Sequence, residues 1–170
     1  MSDHDAPSLF EAYVVDANVI LNFWIISEDE PFGKDVHVSA WAYFEEQIEA
    51  DRIVSPLYVK QEILKHGPPE IKKWITEHEK MFIPVQDELK APLAAISKQH
   101  PIYKTTNGSV ADASVIALAK ARNLCVITSE KRENDGNRSS RNPKIPNVCE
   151  DFDVDWVSVT GFFRREKRSF

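Results

Sequence analysis

The sequence predicts an α/β protein, a three-layer α/β/α sandwich built around a mostly parallel central sheet. Short apolar runs rich in β-branched residues alternate along the chain with longer segments whose apolar residues recur at helical spacing. The strand-like runs are apolar at consecutive positions, which is typical of strands that are covered on both faces. Alternation of this kind gives a parallel sheet with helices packed on either side.

The size and composition of the chain suit one domain spanning residues 1–170. Its 170 residues are 42% apolar and 28% charged, ordinary values for a chain that buries a core of its own. The stretch at residues 130–146 is rich in Asn, Ser, Arg and Lys. We interpret it as a long surface loop inside the domain, because apolar segments resume after it.

The first half of the chain is predicted to contain two strands and three helices. The first four of these elements lie at Tyr13–Val15 and at residues 17–26, 38–50 and 53–54. Ser55 is then expected to cap a third helix that has Pro56 at its first position. That helix is expected to end near His66, because Gly67 and two prolines follow it.

The second half continues the alternation of helix and strand. Helices are predicted at residues 70–80, 86–99, 110–122 and 146–152, and strands at residues 82–85, 124–128 and 156–159. The sequence Asn107-Gly108-Ser109 is expected to open the third of these helices, and Thr160 to cap a final helix at the end of the chain.

Targeting signals and cysteine usage favour a cytoplasmic protein without a membrane segment. Residues 1–11 contain no Lys or Arg, and Asp16 and Asn18 interrupt the apolar run that follows, so no export signal is expected. No apolar stretch is long enough to cross a bilayer. Cys125 and Cys149 have neither a CxxC spacing nor a His cluster beside them, which indicates buried thiols rather than a zinc site or a disulfide.

Four acidic residues occupy positions from which they could meet at one edge of the sheet. Asp16 and Glu130 follow two of the predicted strands, and ligand sites in open α/β sheets lie at the carboxyl ends of the strands. Asp112 and Glu62 lie on helices that could flank those strands. Ionised carboxylates cannot share a pocket unless divalent cations neutralise them, and Mg²⁺ and Mn²⁺ take hard oxygen ligands of this kind.

Each acidic residue also has a simpler interpretation that the sequence leaves open. Asp16 could be only an N-cap for the helix after it. Asp112 could complement the dipole at a helix N-terminus. Glu62, which has lysines on either side, could lie on a solvated helix face.

Several short sequence strings resemble those of PIN domains. Val14-Val15-Asp16-Ala17-Asn18-Val19-Ile20 resembles the opening strand of that family, which ends in a metal-binding Asp. Glu62 and Asp112 look like its second and third acidic positions, and Thr128-Ser129-Glu130 resembles its T-x-D step with Glu in place of Asp. Together with Lys144-Ile145-Pro146-Asn147-Val148-Cys149, the strings are most similar to the PIN-like group catalogued as domain of unknown function 4411.

The resemblance implies a metal-dependent endoribonuclease that hydrolyses phosphodiester bonds with the help of Mg²⁺ or Mn²⁺. Asp16 and Asp112 would be direct ligands in a two-metal pocket, and Glu62 and Glu130 would complete the ligand shell or orient water. Similarity to VapC-type toxins further implies RNA as substrate, and an antitoxin or a DNA-binding regulator as partner.

Basic residues after Glu130 are expected to hold the RNA backbone. They are Lys131, Arg132, Arg138 and Arg141, with Lys144 nearby, although the segment could equally be a solvated loop. Asn18 and Thr128, from the PIN-like strings, are also expected to contact substrate. The net charge of −6 counts against a general nucleic-acid coating protein but not against a nuclease, since bound metals restore positive charge where the phosphate lies.

Aromatic residues crowd the helix predicted at residues 38–50. We expect its side chains to contribute to a homodimer or to a surface that binds an antitoxin; the residues concerned are Trp41, Tyr43, Phe44 and Ile48. The alternative is that they form one helical stripe facing the sheet. The four tryptophans Trp24, Trp41, Trp74 and Trp156 are interpreted as packing residues rather than base-stacking platforms.

Two other functions compete with the nuclease hypothesis. A phosphatase of the haloacid-dehalogenase type would need an acid two residues after its nucleophilic Asp, where this chain has Asn18. A PIN-like module that has lost catalysis and acts only through protein or RNA contacts is the main alternative, and metal binding would separate it from the nuclease.

Overall fold

Five parallel strands form the central sheet of the protein, whose computed structural model describes residues 12–25, 28–29, 33–84, 86–104 and 107–168. The strands are β1 (Tyr13–Val15), β2 (Ile53–Pro56), β3 (Phe82–Ile83), β4 (Cys125–Ile127) and β5 (Trp156–Val157). Their order across the sheet is β3-β2-β1-β4-β5, and every neighbouring pair runs parallel. β1, the central strand, is buried along its whole length, as its unbroken apolar sequence predicts.

Eight α-helices connect the strands in the described part of the chain. They are α1 (Ala17–Trp24), α2 (Val38–Glu49), α3 (Leu57–His66), α4 (Ile71–Glu77), α5 (Lys90–Gln99), α6 (Asn107–Arg122), α7 (Ile145–Asp151) and α8 (Val159–Arg165). Side chains of residues 107–109 are not described. α6 packs on β1 and β2 with α3 beside it, while α2 and α8 meet over Tyr13 on the other face of the sheet. The predicted three-layer α/β/α sandwich is confirmed.

Several predicted boundaries are wrong in detail, and a tertiary contact explains one of them. Ser55 does not cap α3: it is a buried strand residue whose hydroxyl donates to the Val15 carbonyl at 2.8 Å, which extends β2 to Pro56. α6 begins at Asn107 rather than Val110. α8 is capped by Ser158, which accepts the Gly161 N–H, and not by Thr160.

Two long predicted helices are divided in the structure. The helix predicted at residues 70–80 is α4 followed by a 3-10 turn at Glu79–Met81, and that predicted at residues 86–99 is a 3-10 turn at Asp87–Leu89 followed by α5. The predicted ends at Ile26 and Val85 lie outside the described residues.

The aromatic residues of α2 lie inside the protein rather than on its surface. Trp41, Tyr43, Phe44 and Ile48 are all buried, with Phe44 fully excluded from solvent. The Phe44 ring meets Phe162 of α8 edge to face at 5.9 Å between centroids. The expectation that these four side chains form a dimer or antitoxin surface is therefore wrong; they form the stripe that faces the core.

Three tryptophans form a contiguous cluster where α1, α2 and α4 meet. Ring centroids are 6.3 Å apart for Trp24 and Trp41, 5.5 Å for Trp41 and Trp74, and 6.1 Å for Trp24 and Trp74. Trp74 also stacks on His78 at 4.6 Å and donates its indole N–H to Glu45. The interpretation of these rings as packing residues is confirmed.

Other expectations concern the cysteines and the membrane. Cys125 and Cys149 are buried free thiols, as expected. Among the described residues, no helix combines the length and apolar character needed to span a bilayer.

Candidate active site

The order of the strands creates a crevice at the carboxyl ends of β1 and β4. The chain leaves β1 toward β2 and β3 on one side, then returns to place β4 against the other side of β1. Such a reversal is the topological switch point at which open α/β sheets bind ligands. Asp16 directly follows β1, and its N–H donates to the Ile127 carbonyl of β4 at 3.1 Å, so its side chain starts at the mouth of this crevice.

Asp16 is an almost fully buried carboxyl group. It occupies the N-cap position of α1, but its burial distinguishes it from an ordinary surface cap. Its Oδ2 atom has no hydrogen-bond partner. Burial first, then the charges of Glu130 and Glu62, raise its pKa, while the N–H groups of Ala17 and Asn18 act in the opposite direction.

Asp112 faces the same crevice from α6. Because α6 begins at Asn107, Asp112 lies in the second turn rather than the first, which removes the helix-dipole interpretation. Burial raises the pKa of Asp112, and the charges of Asp16, Glu130 and Glu62 raise it further. The ammonium group of Lys144 opposes this effect.

Glu62 approaches from α3 and is half-buried. Its Oε2 atom is enclosed without a hydrogen-bond partner, which a carboxylate on a solvated helix face would not be. Burial is the largest cause of its raised pKa; His66 and Lys65 lower the pKa, and Glu130 raises it.

Glu130 is held at the end of β4 by two backbone contacts. Its N–H donates to the Thr128 hydroxyl at 3.1 Å, and its Oε2 accepts the N–H of Ile145 at 2.6 Å. The Ile145 contact closes the loop between β4 and α7. Thr128 is fully buried, so the expectation that it contacts substrate is wrong: its hydroxyl shapes the turn that carries Glu130.

The structure brings the four predicted acidic residues together. Every pair among Asp16, Glu62, Asp112 and Glu130 interacts electrostatically strongly enough to raise a pKa. Yet within the described part of the chain, no three His, Cys, Asp or Glu side chains are already arranged as a metal-ligand group. The carboxyl groups thus share one pocket, but their oxygen atoms do not converge on a single point.

The chemistry of this pocket fits a divalent cation. It offers only hard carboxylate oxygens, and two of them, Asp16 Oδ2 and Glu62 Oε2, are buried without partners. Buried polar atoms are nearly always satisfied in native proteins, and two orphaned oxygens in one acidic pocket are compatible with a partner of positive charge.

The basic residues expected to hold RNA divide into two groups. Arg132 pairs with Glu150 at 2.8 Å, and Arg138 pairs with Asp151 at 2.9 Å, so both guanidinium groups tie the loop to α7. Lys131, Arg141 and Lys144 form no ion pair with any other described residue. Asn18 is exposed beside Asp16 at the start of α1, where its expected substrate contact remains a prediction.

Two contacts near the acidic residues were not predicted from the sequence. The side-chain amide of Asn22 donates to the Ser129 hydroxyl at 3.2 Å and so bridges α1 to the turn after β4. In the sequence, the only feature that could have indicated this contact is the position of Asn22 one helical turn after Asn18. The second contact is that of Lys144 with Asp112. It depends on the fold of the loop, and no residues near Lys144 in the sequence indicate it.

Fold and site together define an α/β protein with an acidic pocket at the switch point of a parallel sheet. The chain belongs to the family described as "Domain of unknown function (DUF4411)", which it matches over residues 13–170. No curated protein and no solved structure matches the chain.

Proposed function

We propose that the protein is a divalent-metal-dependent ribonuclease of the PIN type. The observation that supports this proposal is the gathering of four mutually repelling carboxyl groups, two with unpartnered buried oxygens, at the switch point of the sheet. Such an arrangement is unfavourable for stability unless a ligand compensates it, so it points to function rather than to folding.

Asp16 and Asp112 are the proposed direct ligands, because burial is the largest cause of the raised pKa of each and they enter the crevice from two different elements, the end of β1 and α6. Glu62 is assigned to orient the attacking water through its unpartnered Oε2. Glu130, anchored by the Ile145 N–H through one oxygen, keeps its other oxygen for a ligand or a water molecule. Bound Mg²⁺ or Mn²⁺ supplies the Lewis acidity that stabilises negative charge developing on a phosphodiester during hydrolysis.

The unpaired cations support a polyanionic substrate. Lys144 lies close enough to Asp112 to lower its pKa, so a phosphate group near the acidic pocket would be within its reach. Lys131 and Arg141 lie on the same loop. RNA, rather than another phosphodiester, is proposed from the similarity of the Asp16 and Glu130 strings to PIN domains. An antitoxin or DNA-binding regulator as partner, and a homodimer, belong to the same proposal and need a surface other than the buried side of α2.

The test is a pair of aspartate-to-asparagine variants. Asp16→Asn preserves shape but removes the charge that would hold a cation, whereas Asp87→Asn changes an exposed aspartate that pairs with Lys90 on the surface. We expect Asp16→Asn to abolish both Mn²⁺ binding and RNA cleavage. Its metal-free form should unfold at the same or a higher temperature, because a repelling buried carboxyl group is gone. Asp87→Asn should behave as the wild type.

Mn²⁺ binding is measured by calorimetry, and cleavage is measured with protein freed from contaminating nucleases. Cleavage by Asp16→Asn at the wild-type rate would defeat the mechanism.

The competing function is a PIN-like module that binds RNA or protein without catalysis. It is favoured by the absence of a ready-made ligand group among the described residues and by the contact that holds one oxygen of Glu130 on a backbone N–H. Wild-type protein that binds single-stranded RNA but takes up no Mn²⁺ would support this module and exclude the nuclease.

A further inference from the structure

Tyr103 is a buried residue at the edge of the acidic pocket that no motif singles out. It lies in the 3-10 turn Pro101–Lys104, which connects α5 to α6 and packs against both helices. Its side chain is only 3% exposed. The ring meets His100 edge to face at 6.0 Å between centroids, so packing fixes its position.

The hydroxyl of Tyr103 is enclosed and has no hydrogen-bond partner. Four buried side-chain atoms in the described part of the chain lack a partner, and two of the others, Asp16 Oδ2 and Glu62 Oε2, belong to the acidic pocket. A buried phenol without a partner is unfavourable compared with Phe, which would fill the same space. Its presence therefore calls for a partner that another state of the pocket supplies.

Two acidic residues of the pocket lie within electrostatic reach of this hydroxyl. After burial, the charges of Asp112 and then Glu130 are the largest causes of the raised pKa of Tyr103. A phenol in this setting keeps its proton throughout the physiological range and can act as a hydrogen-bond donor. The groups facing it are carboxyl groups, which in their ionised form are acceptors only.

We infer that Tyr103 is a positioning residue of the metal site: its hydroxyl donates a hydrogen bond to the Asp112 carboxylate and so orients that ligand toward the cation. The inference rests on the proposed function. In the metal-free pocket the hydroxyl is buried and left unpaired. Metal ligands in proteins are commonly held by a hydrogen bond from a neighbouring group, and losing that group lowers metal affinity about 10- to 100-fold.

The test compares two tyrosine-to-phenylalanine variants of the full chain. Tyr103→Phe removes only the unpaired hydroxyl, whereas Tyr43→Phe removes one that donates to Glu166 at 3.2 Å on the other side of the sheet. The measurements are Mn²⁺ affinity by calorimetry and thermal unfolding in the metal-free state. We expect Tyr103→Phe to bind Mn²⁺ about 10- to 100-fold more weakly while its metal-free unfolding temperature stays equal or rises. Tyr43→Phe should unfold earlier and bind Mn²⁺ as the wild type does.

The outcomes distinguish this inference from the proposed function. If the wild type binds Mn²⁺ and Tyr103→Phe binds it equally well, the positioning role is overturned and the nuclease proposal stands. If the metal-free Tyr103→Phe variant loses as much stability as Tyr43→Phe, the hydroxyl has a purely structural partner and the inference fails. A wild type that binds no Mn²⁺ would overturn both.

Discussion

Burial and mutual repulsion raise the pKa values of Asp16, Glu62 and Asp112, so the metal-free fold favours the protonated form of each. An unfolded aspartate loses its proton near pH 4, whereas the folded pocket retains these protons to higher pH. Between the two pKa values the folded state binds more protons than the unfolded state, and the free energy of unfolding then falls as pH rises. Asp151 and Glu166 have lowered pKa values and act oppositely, losing their contribution as pH falls toward the acid range.

The first prediction at the residue scale concerns pH. In the presence of a chelator, the wild type should lose stability as pH rises from about 4, because the pKa of Asp16 is raised to about 7 and that of Asp112 to about 9 in the folded state. The decline should end near pH 9, where both groups are ionised in the folded and the unfolded protein. The variant Asp16→Asn should show a shallower decline, since one of the repelling groups is absent. Urea unfolding at several pH values measures both slopes.

Calorimetry in buffers of different ionisation enthalpy provides a second measurement of the same effect. Mn²⁺ must displace protons from the pocket, so binding should release protons at mildly acidic pH and fewer as pH rises. An identical pH slope for the wild type and Asp16→Asn, with no proton release, would contradict the electrostatic description of the pocket.

The proximity of the four acidic residues was predictable because two of them follow strands and two lie on helices that could flank those strands. Tyr103 was not predictable, since nothing within a few residues distinguishes this tyrosine from the other three in the chain. Its relation to Asp112 arises only when the turn at Pro101–Lys104 packs on α6. The role of Thr128 was not predictable, because the sequence does not show whether a hydroxyl near a site residue faces the substrate or the backbone.

At the scale of elements, the loop between β4 and α7 is ordered by its contacts with α7. Asn147 accepts the Glu133 N–H at 2.9 Å and donates to the Glu133 carbonyl at 2.8 Å. Arg132 and Arg138 bind the acidic residues Glu150 and Asp151 at the end of the same helix. These contacts leave a different set of cations, Lys131, Arg141 and Lys144, for a ligand.

The prediction for this loop is that its two groups of basic residues differ in their effect on RNA binding. In an Asp16→Asn background, in which we expect no cleavage, replacing Lys131, Arg141 and Lys144 by Ala should weaken binding to single-stranded RNA. It should also lower the slope of log affinity against log salt by about 0.7 for each phosphate group that no longer meets a cation. The matched variant, Arg132→Ala with Arg138→Ala, should change the slope less because those guanidinium groups already have carboxylate partners.

Fluorescence anisotropy over a range of salt concentrations measures both affinities. Equal slopes in the two variants would show that ion pairing within the loop does not decide which cations meet the RNA. An unchanged slope in both variants would show that the basic residues of the loop do not contact RNA and are only solvated.

The order of helices and strands was predictable because apolar periodicity is local. One boundary that failed depends on a partner distant in sequence. Ser55 reads as a helix cap until its hydroxyl meets the Val15 carbonyl of the neighbouring strand. The contact between Ile145 and Glu130 spans fifteen residues of polar loop, and no pattern in that loop indicates it.

At the scale of the whole molecule, the aromatic residues of α2 belong to the hydrophobic core rather than to an interface. Trp41 and Phe44 pack against Phe23 of α1, and Phe44 also meets Phe162 of α8. These rings therefore hold α1, α2 and α8 together. Sequence density alone could not distinguish this core from an interface, because both place aromatic residues on one helical stripe.

The prediction for the whole fold is that Phe44→Ala destabilises the protein by about 3–5 kcal/mol, the usual cost of removing a buried phenyl ring. Val38→Ala on the same helix, where the side chain is 62% exposed, should change stability by no more than about 0.5 kcal/mol. Urea unfolding gives both values, and light scattering should show the same molar mass for the folded wild type and Val38→Ala. A Phe44→Ala variant as stable as Val38→Ala, but altered in mass, would restore the interface interpretation.

The cluster of Trp24, Trp41 and Trp74 gives the protein an optical property of its own. Indole rings separated by 5.5 to 6.3 Å couple their electronic transitions, so the three should give a shared near-ultraviolet circular dichroism signal and exchange excitation before emitting. Trp24 ends the helix that begins directly after Asp16, and Lys34 lies over its ring at 4.3 Å. The fluorescence of the cluster can thus report, without any attached dye, on the C-terminal end of α1, whose first turn lies beside the acidic pocket.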